Sequence, residues 1–249
     1  MAAANFHSRP AAWLYHFLWN ALDWVFPPHC GGCDQLGERW CDRCQAQIVH
    51  LPDLLCPVCG IPQSSGLLCV DCSNQRPAYQ ALRSIGYYSG PLRKAIIRLK
   101  YSRDLGLGEA LAGHLSHLLM ELNWQIDLVT SVPLSKGRLR QRGYNQAAVL
   151  ATPVALAIHK RFQPVLLRKT REAPSQVGLS ANDRRKNVDG AFVAGKMESG
   201  ARQILVIDDV TTTGSTMNAC ARALLDAGAE SVYGLTLARA GLHDPIPVS

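Results

Sequence analysis

The chain has 249 residues, 47% hydrophobic and 18% charged, a balance that excludes a disordered or collagen-like polymer. No run of about 18 apolar residues argues for a spanning helix, and no short charged start leads into an uninterrupted apolar stretch as in a secretory signal; the expectation is a soluble, cytoplasmic protein. The net charge of +7 is unevenly placed: residues 136–187 hold 12 basic and 2 acidic side chains, the remainder 14 and 17. One stretch therefore carries all the net positive charge, which points to an anionic partner such as phosphate, pyrophosphate or nucleic acid. A basic surface without a specific role is the alternative.

At the N-terminus, Trp13, Leu14, Phe17, Leu18, Leu22 and Val25 recur at helical spacing, with His16, Asn20 and Asp23 largely on the other face. This predicts an amphipathic helix within residues 1–28, stopped by Pro27-Pro28. Its apolar face docks on the protein's own body or, in a second reading, on a partner or peripherally on a membrane. The segment lacks the Lys and Arg that usually accompany lipid binding.

Eight of nine cysteines follow in four CxxC pairs, Cys30–Cys33, Cys41–Cys44, Cys56–Cys59 and Cys69–Cys72, separated by 7, 11 and 9 residues. A CxxC turn offers two thiolates to one side of a zinc ion, and a second turn brought round by a short hairpin completes the tetrahedron. Gly31-Gly32 and Gly60 are expected to give the knuckles backbone freedom. Four knuckles can pair in three ways. Sequential pairing closes the shortest loops, placing Cys30, Cys33, Cys41 and Cys44 in one structural zinc site and Cys56, Cys59, Cys69 and Cys72 in the other. Disulfides fit a reducing compartment poorly, and a redox CxxC normally occurs once in a strand–helix context. Residues 29–75 thus read as a double zinc-ribbon module. Cys220, alone in a helical run, reads as a small buried residue.

From residue 80 to 240 strands and helices alternate. Strands are expected at 81–88, 127–132, 164–167, 203–207 and 231–237, and helices at 91–101, 105–122, 144–159 (with Pro153 inside) and 217–227. Near-continuous apolar strands alternating with helices predict an α/β domain with a mainly parallel sheet covered on both faces; residues 241–249 form a tail. In such sheets ligands sit beyond the carboxyl ends of the strands.

The strongest strand ends in Asp208-Asp209-Val210-Thr211-Thr212-Thr213-Gly214-Ser215-Thr216 and runs into a helix. A helix N-terminus presents free N–H groups and partial positive charge; with hydroxyl donors added, it cradles a phosphate. Gly214 allows close backbone approach. Asp208 and Asp209 are suited to accept hydrogen bonds from vicinal sugar hydroxyls and to face magnesium through water. A simple capped helix accounts for one Thr and one Asp, not for two acids, five hydroxyls and a glycine.

Residues 204–216 resemble the 5-phosphoribosyl-1-pyrophosphate loop of type I phosphoribosyltransferases; no Gly-Lys-Ser/Thr follows the strand, so it is not a Walker A loop. The resemblance implies that Asp208 and Asp209 hold the ribose hydroxyls and that Thr211, Thr212, Thr213, Gly214, Ser215 and Thr216 hold the 5-phosphate, with magnesium accompanying the ligand. Further along, Ser131-Val132-Pro133-Leu134, Arg138 and Arg142-Gly143-Tyr144-Asn145-Gln146 resemble the ComF family, as does the run Arg168, Arg171, Gln176, Leu179, Arg184, Asn187, Val188, Ala191, Phe192. Four knuckles before such a domain are similar to its GntX-like DNA-utilisation members, over residues 24–239. The resemblance implies a phosphoribosyltransferase-like fold and a part in handling imported DNA, with single-stranded DNA and a DNA-uptake helicase or channel as partners.

Lys136, Arg138 and Arg142 stand where a pyrophosphate loop is expected, and Arg168, Lys169 and Arg171 open a Gly/Pro/Ser-containing flap. Catalysis would displace pyrophosphate from the anomeric carbon, and basic side chains would stabilise the departing charge. Thr212 stands where 6-oxopurine-using relatives carry an Asp, which disfavours purine salvage. No residue identifies an acceptor base or assigns a catalytic group. The alternative to a DNA-handling binding protein is therefore a magnesium-dependent phosphoribosyltransferase of unknown acceptor.

Overall fold

The computed structural model describes residues 27–102, 104–170 and 190–241. The expected N-terminal helix, Arg171 with the flap that follows it, and the tail beyond residue 241 lie outside the described residues. In chain order the elements are α1 (Asp42–Ala46), α2 (Val70–Asn74), β1 (Ala81–Tyr87), α3 (Gly90–Tyr101), α4 (Leu105–Leu122), β2 (Leu128–Ser131), α5 (Lys136–Arg142), α6 (Gln146–Ala157), β3 (Arg161–Phe162), β4 (Leu167–Lys169), β5 (Phe192–Ala194), β6 (Gln203–Thr211), α7 (Ser215–Asp226) and β7 (Ser231–Arg239).

Five strands form one sheet in the order β1-β7-β6-β2-β3, and every neighbouring pair is parallel. The apolar run of β6 explains its central place. Ile204 and Val206 face the cluster containing Cys220 and Leu224 of α7. Leu205 and Ile207 face the opposite cluster with Leu111 and Leu115 of α4 and Leu150 and Val154 of α6. A strand buried on both sides needs apolar residues at every position, which the sequence supplies.

Two expectations are corrected. Of the strand expected at 164–167 only Leu167 is in a strand, as the first residue of β4, which pairs antiparallel with β5 outside the main sheet; the fifth strand of the sheet is instead the two-residue β3, paired with β2. The stretch after β2 is a helix rather than an open loop. The Ser135 hydroxyl accepts from Arg138 N–H to start α5, and Gly143, at φ +84°, ends it in the left-handed conformation that favours glycine.

The cysteine module is built into the sheet's free edge. Leu82 and Tyr87 of β1 donate their N–H groups to the carbonyls of Val58 and Val49, each over 2.8 Å, so polar groups that an edge strand would leave open are satisfied. The second cysteine group shares a core with Leu82 and α7. The first is tied to α4: Asp104 accepts from Leu107 N–H at the helix start and also from Arg39 and Arg98, each at 3.1 Å. Gly31 and Gly32 serve space rather than left-handed backbone: a Cβ on Gly31 would lie 2.5 Å from Leu107, and one on Gly32 2.7 Å from Cys44 Sγ. Gly60 does take a positive φ, +70°.

Candidate functional site

The thiols gather as the spacing predicts. Cys30, Cys33, Cys41 and Cys44 form one cluster and Cys56, Cys59, Cys69 and Cys72 the other, each with its sulfurs within 4.8 Å of one another. The Cys33–Cys41 and Cys59–Cys69 sulfurs are 3.7 and 3.5 Å apart, close to the roughly 3.8 Å edge of a tetrahedron with Zn–S bonds of about 2.3 Å. Cys41 and Cys69 each open a one-turn helix. Their N–H groups donate to Cys30 Sγ and Cys56 Sγ, which favours thiolates. Burial pushes the Cys44 and Cys72 thiols up. A set of four ionised sulfurs therefore needs a cation among them, and an all-sulfur tetrahedron suits zinc in a closed, structural site.

At the carboxyl end of β6, the loop to α7 surrounds a small cavity lined by Asp208, Thr211, Thr212, Thr213, Gly214, Ser215 and Thr216, with Thr236 of β7. Thr211 is the last residue of β6 and Ser215 the first of α7, so the hydroxyl run begins in the strand and ends in the helix. Gly214 turns at φ +77°, and a Cβ there would lie 2.7 Å from the Tyr79 hydroxyl. Any other side chain would be both strained and obstructed. Thr213 and Ser215 hydroxyls are 2.7 Å apart, and Ser215 N–H donates to Thr213 Oγ1 at 3.4 Å; the N–H groups that follow in the first turn of α7 are those a helix leaves for a ligand.

The two adjacent acids occupy different environments. Successive strand residues point to opposite faces, and only Asp208 lines the loop cavity. Asp209 is 4% exposed. It lies 2.5 Å from Lys100 Nζ of α3 and accepts from Gln146 Nε2 at 2.8 Å; Gln146 in turn accepts from Arg142. Burial alone would raise the Asp209 carboxyl, but Lys100 and Gln146 hold it below the usual carboxylate range. Burial and the neighbouring Asp209 charge push Asp208 well above that range. Lys100 is raised because Asp209 outweighs its desolvation.

The expected basic residues are dispersed. Lys136 and Arg138 lie on α5, Arg142 at its end contacts Gln146 and sits over the Tyr101 ring at 5.3 Å, and Arg168 and Lys169 lie on β4. None of them lines the loop cavity. Sequence reasoning missed Lys100, which looks like one more charge near the end of α3 yet is 6% exposed. Gln146 was visible only as part of a motif. Arg239 was also missed: it ends β7 and is 4% exposed, and it donates from Nη1 to Thr212 O at 3.0 Å and from Nη2 to Cys59 O.

Fold and clusters together define a parallel α/β domain that carries a double zinc ribbon at its edge. The description "double zinc ribbon domain" matches residues 21–73. The chain is 36% identical over 191 residues to the DNA utilization protein YhgH of Escherichia coli O6:H1, covering 74% of this chain and 84% of that one. It is 32% identical over 221 residues to competence protein F of Haemophilus influenzae, covering 85% and 96%. The chain belongs to this family, the ComF family. Among solved structures, glutamine phosphoribosylpyrophosphate amidotransferase from Bacillus subtilis is similar at a TM-score of 0.39 and 20% identity, over 57% of this chain and 30% of that one. No helix among the described residues is long and apolar enough to cross a membrane.

Proposed function

We propose that this chain binds 5-phosphoribosyl-1-pyrophosphate in the loop after β6 and acts in the utilisation of imported DNA as a single-strand-binding protein. The observation that carries the reading is the convergence of Asp208, the hydroxyls of 211–216 and the start of α7 on one cavity. The 5-phosphate takes the N–H groups of Gly214 and Thr216 and the hydroxyls of Thr213 and Ser215, where dipole and donors both favour an anion. Asp208 takes the ribose hydroxyls. Asp209, held by Lys100 and Gln146, positions the strand end.

Magnesium fits as a companion of the ligand. One carboxylate lines the cavity, so the ion's coordination is completed by pyrophosphate oxygens and water, and it would neutralise pyrophosphate charge. Lys136, Arg138 and Arg142 of α5 and Arg168 and Lys169 of β4 are the described cations offered to a phosphodiester backbone; Arg171 lies outside the described residues. DNA handling is supported by the names of the relatives.

Calorimetric titration with the activated sugar and magnesium tests the site. Saturable binding that Asp208→Asn removes is expected; no heat, or binding indifferent to Asp208, overturns it. The loop also holds the full set of hydroxyls a phosphoribosyltransferase of unknown acceptor would use. Pyrophosphate release with a panel of bases decides for that second reading, and a background rate decides against it.

A further inference from the structure

A second cavity, of about 250 Å³, lies between the second cysteine cluster and the start of α7. It adjoins the loop cavity, because Thr213, Gly214 and Ser215 line both. Its size falls just under the usual small-ligand range of about 300–1,000 Å³, room for one nucleoside rather than a larger cofactor. Ile61, Pro77 and Ala219 give it an apolar side, and Gln75 and Asn218 give it amides. The Asn218 Oδ1 accepts from Ala78 N–H at 2.6 Å, which leaves its Nδ2 as a donor.

One phenol opens into the space. Tyr79 is 2% exposed and lines the cavity. Its hydroxyl stands against Gly214. Open to the cavity, it offers an occupant a donor and an acceptor.

The charge of the wall narrows the chemistry. Cys59 and Cys72 line the cavity, and four thiolates on a dication keep a net negative charge. Arg76, Arg222 and Asp71 line the same cavity. The wall thus carries both signs, and its amides and apolar side suit a neutral, hydrogen-bonding, partly apolar group whose base can stack on a guanidinium.

We propose that this cavity seats the nucleoside joined by a phosphodiester to the 5′ side of the phosphate in the loop, so that the two cavities together hold consecutive units of a single DNA strand. The inference rests on the reading of the loop as a sugar-phosphate site. It gives that site a reason to stand beside the zinc ribbon: the loop holds the phosphate, and the ribbon wall the nucleoside on its 5′ side.

The test titrates the zinc-loaded full chain with two monoanionic diesters, the dinucleotide TpT and thymidine 5′-(methyl phosphate), which lacks only the 5′ nucleoside. TpT is expected to bind about tenfold more tightly, the scale of one base contact. Ile61→Trp, which fills the cavity, should erase that margin while leaving affinity for 5-phosphoribosyl-1-pyrophosphate within about twofold. Equal affinity of the two diesters for the unaltered chain overturns the inference whether or not Ile61→Trp folds. A margin that survives in a folded Ile61→Trp overturns it as well. If the activated sugar binds and the diesters do not differ, the inference alone falls; if the activated sugar does not bind, the loop reading and the inference fall together.

Discussion

Arg239 reaches from the end of β7 to the carbonyl of Thr212 over 3.0 Å, while its other terminal nitrogen donates to Cys59. One buried guanidinium thus ties the second cysteine cluster to the loop after β6. Loosening that knuckle frees Arg239 and with it the backbone of Thr212. Among the described residues the first cluster has no such link; it is tied to α4 through Arg39 and Asp104.

Metal loss at the two clusters should therefore differ in effect. Cys33→Ser and Cys59→Ser are each expected to lower bound zinc from about two ions per chain to about one. Only Cys59→Ser should also weaken binding of the activated sugar, by about tenfold or about 1.4 kcal/mol. Zinc assay and calorimetry on the same preparations check this; equal effects of the two variants would refute the Arg239 link.

The pair Lys100–Asp209 predicts a stability profile. Asp209 is held below its ordinary value by Lys100 and Gln146 against the effect of burial. Its contribution is present above the unfolded value of about 3.9 and is lost as pH falls through the folded value. Lys100 is raised by Asp209 against its desolvation, so its contribution is present below about 10.4 and is lost as pH rises through the folded value. Lys100→Met should cost about 3–5 kcal/mol by leaving a buried carboxylate without its counter-ion. Adding Asp209→Leu should recover much of that. Urea midpoints across pH measure both effects.

Asp208 behaves in the opposite sense. Burial and Asp209 raise its carboxyl, so the folded state keeps a proton that the unfolded state releases. Stability then declines as pH climbs from about 3.9 towards the folded value. Asp208→Asn is expected to stabilise the fold at neutral pH while removing affinity for the sugar. A gain of about 1 kcal/mol would appear as about 2–4 °C in Tm. Asp209→Asn should destabilise instead, because it strands Lys100. Paired melting curves of the two variants decide.

The basic surface predicts salt-dependent DNA binding. Removing one cationic side chain that pairs with a phosphate of single-stranded DNA should reduce the slope of log K against log salt by about 0.7. Lys136→Glu with Arg138→Glu, both on α5, should flatten the slope for an oligothymidylate. An unchanged slope would place the DNA track elsewhere.

What could be read from the sequence was chemistry confined to short windows. The knuckles were legible because ligand spacing is local, and β6 because a strand covered on both faces must be apolar at each position. The loop after it was legible because hydroxyls and glycine follow the acids within a few residues. Lys100 and Asp209 are 109 positions apart in the chain, and nothing in the helical pattern of α3 marks a lysine whose head is buried against a strand. Arg239 and Cys59 are likewise joined only by the fold. Adjacent Asp208 and Asp209 read as one unit, yet strand alternation sends them to opposite faces. The edge strand β3, two residues long, offers no period to detect.

The most direct measurement is a calorimetric titration of the zinc-loaded chain with 5-phosphoribosyl-1-pyrophosphate and magnesium, beside Asp208→Asn and Thr213→Ala with Ser215→Ala. The account predicts saturable binding near one ligand per chain, abolished by the first variant and weakened at least about tenfold by the second, which removes two hydroxyls from the cradle. Binding that survives both changes, or none by the unaltered chain, would contradict it.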